Sequence, residues 1–577
     1  MTSAMERART SASALAMLCL AACSAGADPT ETGEAGGGKH EGEFVEPDGK
    51  SPACEEAAKL KTSVACDYYA VALDAKWAAD NGCFVAFVAN TSNEPARINV
   101  TFGGASIDLG QYAKIPEGSG KAISYTDYEP NSGLAPGEVA ILFLAGGYEP
   151  LDEGANSTNE PVPCPVPAAI PVGAQFHGTG FGEAFHITTS TPVVAYQMLP
   201  YGGGAAAVTG ATLLIPTTAW DTDYVGMNAY GGDAVSEFGA GPSMTLVASE
   251  DDTKISIVPK SILGAGPGVT PVPAGEKAVF NLRKGQVLQL TQTAELTGSP
   301  IQANKPIGLF AGHQCTDTPT GAQYCDHAEQ QIPPISALGH EYVAAPFRQR
   351  TAKKEVMLYR IVAAAAGTNL SFEPNVNGQA TLGFGDILEF ETDQAFSVKS
   401  QDQDHPFVLL SYMAGATTLE DGTGLGGYGD PDVSRVVPPA QYLKRYVFFT
   451  DPTYPETNLV VIRKRGDAGF AEVSLDCAGS LTGWQSIGSS GDYEFTRTDL
   501  VRHDFEPQGD CDNGRREMVS DAPFGLWVWG WGSPESQPQT PGGCEPGQPG
   551  YSCYVSYAYP AGEGLQVLNQ AISPVPR

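Results

Sequence analysis

The chain's 577 residues allow several folded units, and its formal charge of −33 (33 Lys plus Arg against 66 Asp plus Glu) repels a phosphate backbone, which excludes a nucleic-acid partner. Its 68 Gly and 44 Pro stand well above average usage, and they are set beside 23 Tyr and 23 Phe. That composition excludes coiled coils and helical arrays and suits many short strands joined by tight turns.

At the N-terminus, Arg7 and Arg9 precede an apolar run from Ala14 to Ala22 that is too short to cross a bilayer. Leu20-Ala21-Ala22-Cys23 resembles a bacterial lipobox, so residues 1–22 are expected to be a signal peptide and Cys23 the lipidated residue. Ser24, where Asp would mark inner-membrane retention, favours the outer membrane or cell surface. Two or three acyl chains hold a protein stably at a membrane. Residues 23–50 are rich in Gly, Glu and Pro, with Val45 their lone aliphatic core former, and read as a solvated tether. No apolar run of 18 or more follows, which makes the lipid the expected membrane contact.

Ten further cysteines in an exported chain point to disulfides. Short separations suggest Cys54–Cys66, Cys315–Cys325, Cys477–Cys511 and Cys544–Cys553, leaving Cys83 with Cys164.

The rest of the chain is a repeat array. A polar residue, Pro and an aliphatic-aromatic strand recur as STPVVAYQMLPYGG (Pro192), NKPIGLFAGHQC (Pro306), DHPFVLLSYMAG (Pro406) and DAPFGLWVWGWG (Pro523), spaced by 114, 100 and 117 residues. A segment from Pro to Tyr-Val recurs at 215–225, 333–343 and 438–447. Hairpin-like segments follow at 245–259, 358–374 and 458–476, with 83–102 as the divergent first copy. Gly-led strands lie at 137–144, 285–292 and 385–392. Period-two alternation bounded by Gly, Asn and Asp is the pattern of strands with one face on a core. The expected fold is all-β, tandem β-sandwich-like repeats of about 100 residues, the alternative being a β-propeller-like closed array. The expected boundaries are a first, divergent unit at 51–210, then 211–330, 331–436 and 437–577, the last carrying a Pro/Gly-rich loop and a C-terminal strand.

Catalytic motifs are scarce. GSGK (118–121) lacks the Ser or Thr after Lys121 and the first Gly of a phosphate loop, and no G-x-S-x-G elbow occurs. His340-Glu341 lacks the second His of a zincin. Asp221/Asp223, Glu250-Asp251-Asp252 and Asp402/Asp404 read as solvated turn carboxylates, with calcium binding the sharper alternative. His313, Cys315, Cys325, Asp326, His327 and Glu329 could assemble a metal site, but an oxidising compartment favours a Cys315–Cys325 bridge with structural histidines. No catalytic residue, metal ligand or cofactor is therefore assigned. Aromatic Gly loops at 201–204, 229–234, 424–430 and 543–553 are candidates either for binding or for packing over their own scaffold.

The phrase GLFAGHQC…CDHAEQQIPPISALGHEYV (308–343), with CDYYAV near Cys66 and SYAYPAG (556–562), resembles the IgG-Fc-binding-protein N-terminal domain family. The resemblance covers most of 54–572, with GHxC…CDHxEQQ-x-PP its most specific part and Leu338 standing where the family has an aromatic. That family includes secreted or lipid-anchored myxobacterial proteins. The resemblance implies an extracellular binding or adhesion module with no catalytic residues to carry over. The expected function is thus a lipid-anchored surface protein that binds an extracellular protein or glycan, touching membrane through its lipid alone. An exported metal-dependent hydrolase using His313 and His327 is the alternative.

Overall fold

A computed structural model describes residues 48–148, 161–202, 208–231, 239–322, 324–419, 427–536 and 553–575, all within the unit Glu46–Arg577. The signal peptide, Cys23, most of the tether and Cys544 lie outside the described residues.

Each repeated proline marks a corner in the backbone. The long strand Phe185–Leu199 pairs through residues 185–189 with Ile98–Phe102 and through 193–198 with Phe84–Asn90. Pro192 sits between the two halves. Pro300–Thr316 likewise pairs with Thr253–Ile257 before Pro306 and with Pro242–Ala248 after it. Gly514–Trp531 pairs with Val473–Leu475 before Pro523 and with Glu456–Lys464 after it. Proline has no N–H to continue a ladder, so it belongs where a strand leaves one sheet for another. In the third unit the same spine is broken outright: Phe396–Lys399 and Phe407–Met413 belong to separate four-stranded sheets.

The expected hairpins are not hairpins. Pro242–Ala248 and Thr253–Ile257 do not pair with each other; each pairs with one half of the same spine. The other three copies behave alike. A bent spine offers a separate edge on each side of its corner, and the turn carries the chain across between them.

A tyrosine latch locks every corner. Tyr68, Tyr224, Tyr342 and Tyr446 are all buried, and each donates its hydroxyl to the carbonyl just after the spine proline: Val193, Ile307, Phe407 and Phe524. Each hydroxyl also accepts a backbone N–H from three residues upstream, from Ala65, Asp221, Gly339 and Leu443. The repeated Tyr-Val segment exists to place this ring.

After the corner, each spine forms an inner sheet of the same order: Gly-led strand, first arch strand, spine, closing strand. The closing strands are Gly210–Leu213, Asp326–Ile332, Asp432–Arg435 and Ser556–Pro560. They touch one another cyclically, first to second, second to third, third to fourth and fourth to first. The hydrophobic cores follow the same circuit. Tyr69 and Phe185 share one with Trp220 and Phe310; Leu246 and Leu309 share another with Leu358 and Tyr412. Tyr359 and Phe396 pack with Phe495 and Trp529, and Phe448 and Leu526 pack with Phe87 and Tyr196. The units are therefore sandwich-like individually and closed as a ring collectively. Each large side chain buried at these junctions contributes about 1.5–3 kcal/mol. Gly385 is required at one junction: its φ is +70°, and a Cβ there would lie 2.1 Å from the Gly298 carbonyl oxygen.

The connection between units is not confined to loops. Gly180–Glu183, upstream of the first spine, pairs with Gln286–Gln289 in the second unit's inner sheet. Disulfides join Cys54 to Cys66, Cys83 to Cys164, Cys315 to Cys325 and Cys477 to Cys511. Cys553 is also disulfide-bonded.

Candidate functional site

The His–Cys–acid phrase lies at the centre of the ring, fully enclosed. His313 and His327 sit on antiparallel strands and are both buried. His327 Nδ1 is 3.0 Å from the His313 carbonyl oxygen, to which it donates; His313 Nδ1 accepts the Cys315 N–H at 3.2 Å. The Cys315–Cys325 bridge consumes both thiols. Each imidazole spends one nitrogen on backbone, and among the described residues no three His, Cys, Asp or Glu side chains converge as metal ligands. The ligand set of the hydrolase alternative is thus not assembled.

The phrase instead closes the ring. Gln330 Nε2 lies 3.0, 3.0 and 3.1 Å from the carbonyls of Ala211, Val433 and Ala558, one on each of the other three closing strands. Gln197 bridges Val71 to Glu329 beside it. Around this hub lie buried carboxyls: Asp326, Glu329, Asp430, Asp432 and Asp451. Burial lifts all five above the ordinary carboxylate range, Asp451 to about 7, and the charges of Asp430 and Asp432 push Asp326 further. Burial and the neighbouring His327 charge take His313 down to about 3. Burial thus biases the hub's carboxyls and His313 toward their uncharged forms.

The candidate calcium loops are occupied by ordinary capping. Asp221 accepts from Ser336 at 2.7 Å, Asp251 from the Lys284 N–H at 3.0 Å, and Asp402 from His405 at 2.6 Å. Two of the loop tyrosines are core residues: Tyr201 packs on Phe87 and Phe143, and Tyr230 on Tyr412. Tyr428 donates to Glu535 at 2.6 Å. Residues 203–204, 232–234, 424–426 and 543–552 of these loops lie outside the described residues.

A cleft that no motif announced opens between the third and fourth units, with a volume of about 520 Å³. Its floor is apolar, with Phe347, Met357 and Phe495 almost wholly buried beneath it. Its rim is polar, with Gln349, Gln394, Gln485 and Ser486 exposed. Two arginines brace the loop on one side. Arg350 pairs with Glu355 at 2.6 Å and donates to the Tyr428 and Ala414 carbonyls; Arg348 pairs with Glu456 and, at 3.0 Å, with Asp499. On the other side, Glu373 of the third unit accepts from the N–H groups of Ser489 and Ser490 in the fourth, at 2.8 and 3.0 Å. Gly488 permits that approach: φ is +66°, and a Cβ would lie 2.8 Å from the Glu373 side chain.

Arg497 reaches into the cleft half-buried. Its Nη1 donates to the Phe347 carbonyl at 3.0 Å, and its guanidinium lies 5.3 Å from the Phe495 ring centre. Desolvation pulls its pKa below the usual arginine value, with Asp499 opposing and Arg348 adding to the effect. The sequence holds no local signal for this site, because its walls come from segments about 150 residues apart.

The fold and its sites define a disulfide-stapled, all-β repeat array whose His–Cys phrase is buried in a hydrogen-bonded hub and whose third and fourth units flank an open cleft. The profile of the family described as IgGFc binding protein matches residues 210–530, more than half of the chain, and the chain belongs to that family. Over 296 residues it is 26% identical to the human IgGFc-binding protein, an alignment covering 50% of this chain and 5% of the human protein. The chain thus spans a small fraction of that relative's length. No solved structure matches it.

Proposed function

We propose that this chain is a binding and adhesion protein held at the bacterial outer membrane or cell surface by a lipid on Cys23, recognising an extracellular protein or glycan through the cleft between its third and fourth units. The observation that carries the reading is that cleft, an apolar floor of Phe347, Met357 and Phe495 rimmed by uncommitted amides and hydroxyls. Small-ligand sites share that make-up and fall in the range of about 300–1,000 Å³. The family match supports a binding role, and the human relative is named for binding IgG Fc. Among the described residues no helix is long and apolar enough to cross a membrane, which is compatible with attachment by lipid and says nothing of β-barrels.

The test is an array of immobilised extracellular glycans and proteins probed with the full chain and with Ser486→Trp, which fills the cleft from its exposed rim. The proposal expects the wild type's signals to disappear in the variant while its melting temperature holds. Signals that survive the substitution would place recognition elsewhere.

A further inference from the structure

The cleft's charges are unequally committed. Its lining carries three acids, and each already has a partner: Glu355 has Arg350 at 2.6 Å, Asp393 has Lys354 at 2.8 Å, and Glu373 has the Ser489 and Ser490 amides. Arg497 differs. Among the described residues no carboxylate lies within ion-pair distance of it, although the chain carries twice as many acids as bases. Its neighbour Arg348 has taken both nearby acids, Glu456 and Asp499. A guanidinium that is partly desolvated and has no carboxylate in direct contact gains most from a bidentate anion, and carboxylate matches its planar fork.

The remaining rim is neutral. Gln349, Gln394, Gln485 and Ser486 offer amide and hydroxyl groups, which trade water for sugar hydroxyls without a charge penalty. Strand addition by an acidic peptide has little to build on. The rim strand Gln485–Ile487 is the outermost of its sheet but only three residues long.

On the reading that this cleft is the recognition site, we infer that its ligand is an acidic saccharide, a sugar carboxylate paired with Arg497 and neutral hydroxyls held by the glutamine rim. Binding weakens with added salt, because the pair sits at a partly open mouth.

Isothermal titration of the full chain tests this with four probes: trigalacturonate, its methyl ester, neutral maltotriose and a capped triglutamate peptide. Trigalacturonate should bind, and esterification or Arg497→Gln should each weaken it by about tenfold or more. The ester carries the test if Arg497→Gln proves misfolded by its melting curve. Equal binding of maltotriose or the methyl ester would overturn the role of Arg497, and equal binding of triglutamate would overturn the saccharide class. If no probe binds while Ser486→Trp still abolishes the array signals, the ligand class falls and the cleft stands. If Ser486→Trp leaves those signals intact, the cleft itself falls.

Discussion

Replacing Asp451 by Asn should make the protein more stable at pH 8 and leave it nearly unchanged at pH 4. Asp451 is fully buried; one carboxyl oxygen accepts the Thr453 N–H and hydroxyl, both at 2.8 Å, and the other has no partner among the described residues. Burial raises its pKa from 3.8 to about 7. In the unfolded chain the group ionises near 4, in the fold near 7. Stability from this residue is therefore undiminished below pH 4 and lost as pH rises to 7. About three units at 1.36 kcal/mol each give a loss of about 4 kcal/mol above pH 7. Asparagine keeps the shape and the Thr453 contacts but cannot ionise, so it removes that loss. A body of roughly 500 residues at about 2.1 cal/mol/K each has an unfolding entropy near 1 kcal/mol/K, which makes the gain about 4 °C at pH 8. Scanning calorimetry at pH 4 and 8 reads it directly. A variant that melts with or below wild type at pH 8, or that gains equally at both pH values, would refute a buried neutral Asp451. Wild type should itself melt higher at pH 5 than at pH 8, because Asp326, Asp430 and Asp432 shift in the same direction. Below pH 4 the trend reverses as Glu341 and Glu517, held low by Lys399 and by Arg445 with Arg515 despite burial, become protonated.

Tyr342→Phe removes one latch, leaving the Gly339 N–H and the Phe407 carbonyl without it, and should cost about 1–3 kcal/mol by chemical denaturation; no change would mean the corner holds without its hydroxyl. Gln330→Leu strips the shared donor from three buried carbonyls and should cost roughly 3 kcal/mol, with faster amide exchange in all four closing strands at once; loosening in its own strand alone would contradict its role as a hub. Cys23→Ser should abolish incorporation of an alkyne-tagged palmitate analogue in a bacterial host and release the chain from membranes; a variant that still takes the label would place the lipid elsewhere.

Local signals revealed the repeat and concealed its partners. The spacing of Pro192, Pro306, Pro406 and Pro523 marks four units because proline acts on the backbone where it stands. The arch strands looked like hairpins because period-two alternation and a turn are local, whereas the choice between each other and the spine depends on the corner. Tyr224 and its counterparts stood out as a recurring residue, but the acceptor of the Tyr224 hydroxyl, Ile307, lies 83 positions away. The His313–Glu329 phrase drew attention as chemistry because metal ligands and buried hydrogen-bond hubs use the same residue types. Burial decides between them, and sequence does not report it. Arg497 carried no signal at all: nothing near it in the chain shows that Arg348 would already hold Glu456 and Asp499.

The most direct test of the account is hydrogen–deuterium exchange of the full chain with and without the strongest ligand from the array. Binding in the cleft predicts slowed exchange at 346–357, 373–374 and 485–497, with the closing strands unchanged. Protection confined to the first or second unit, with those three segments exchanging as before, would contradict it.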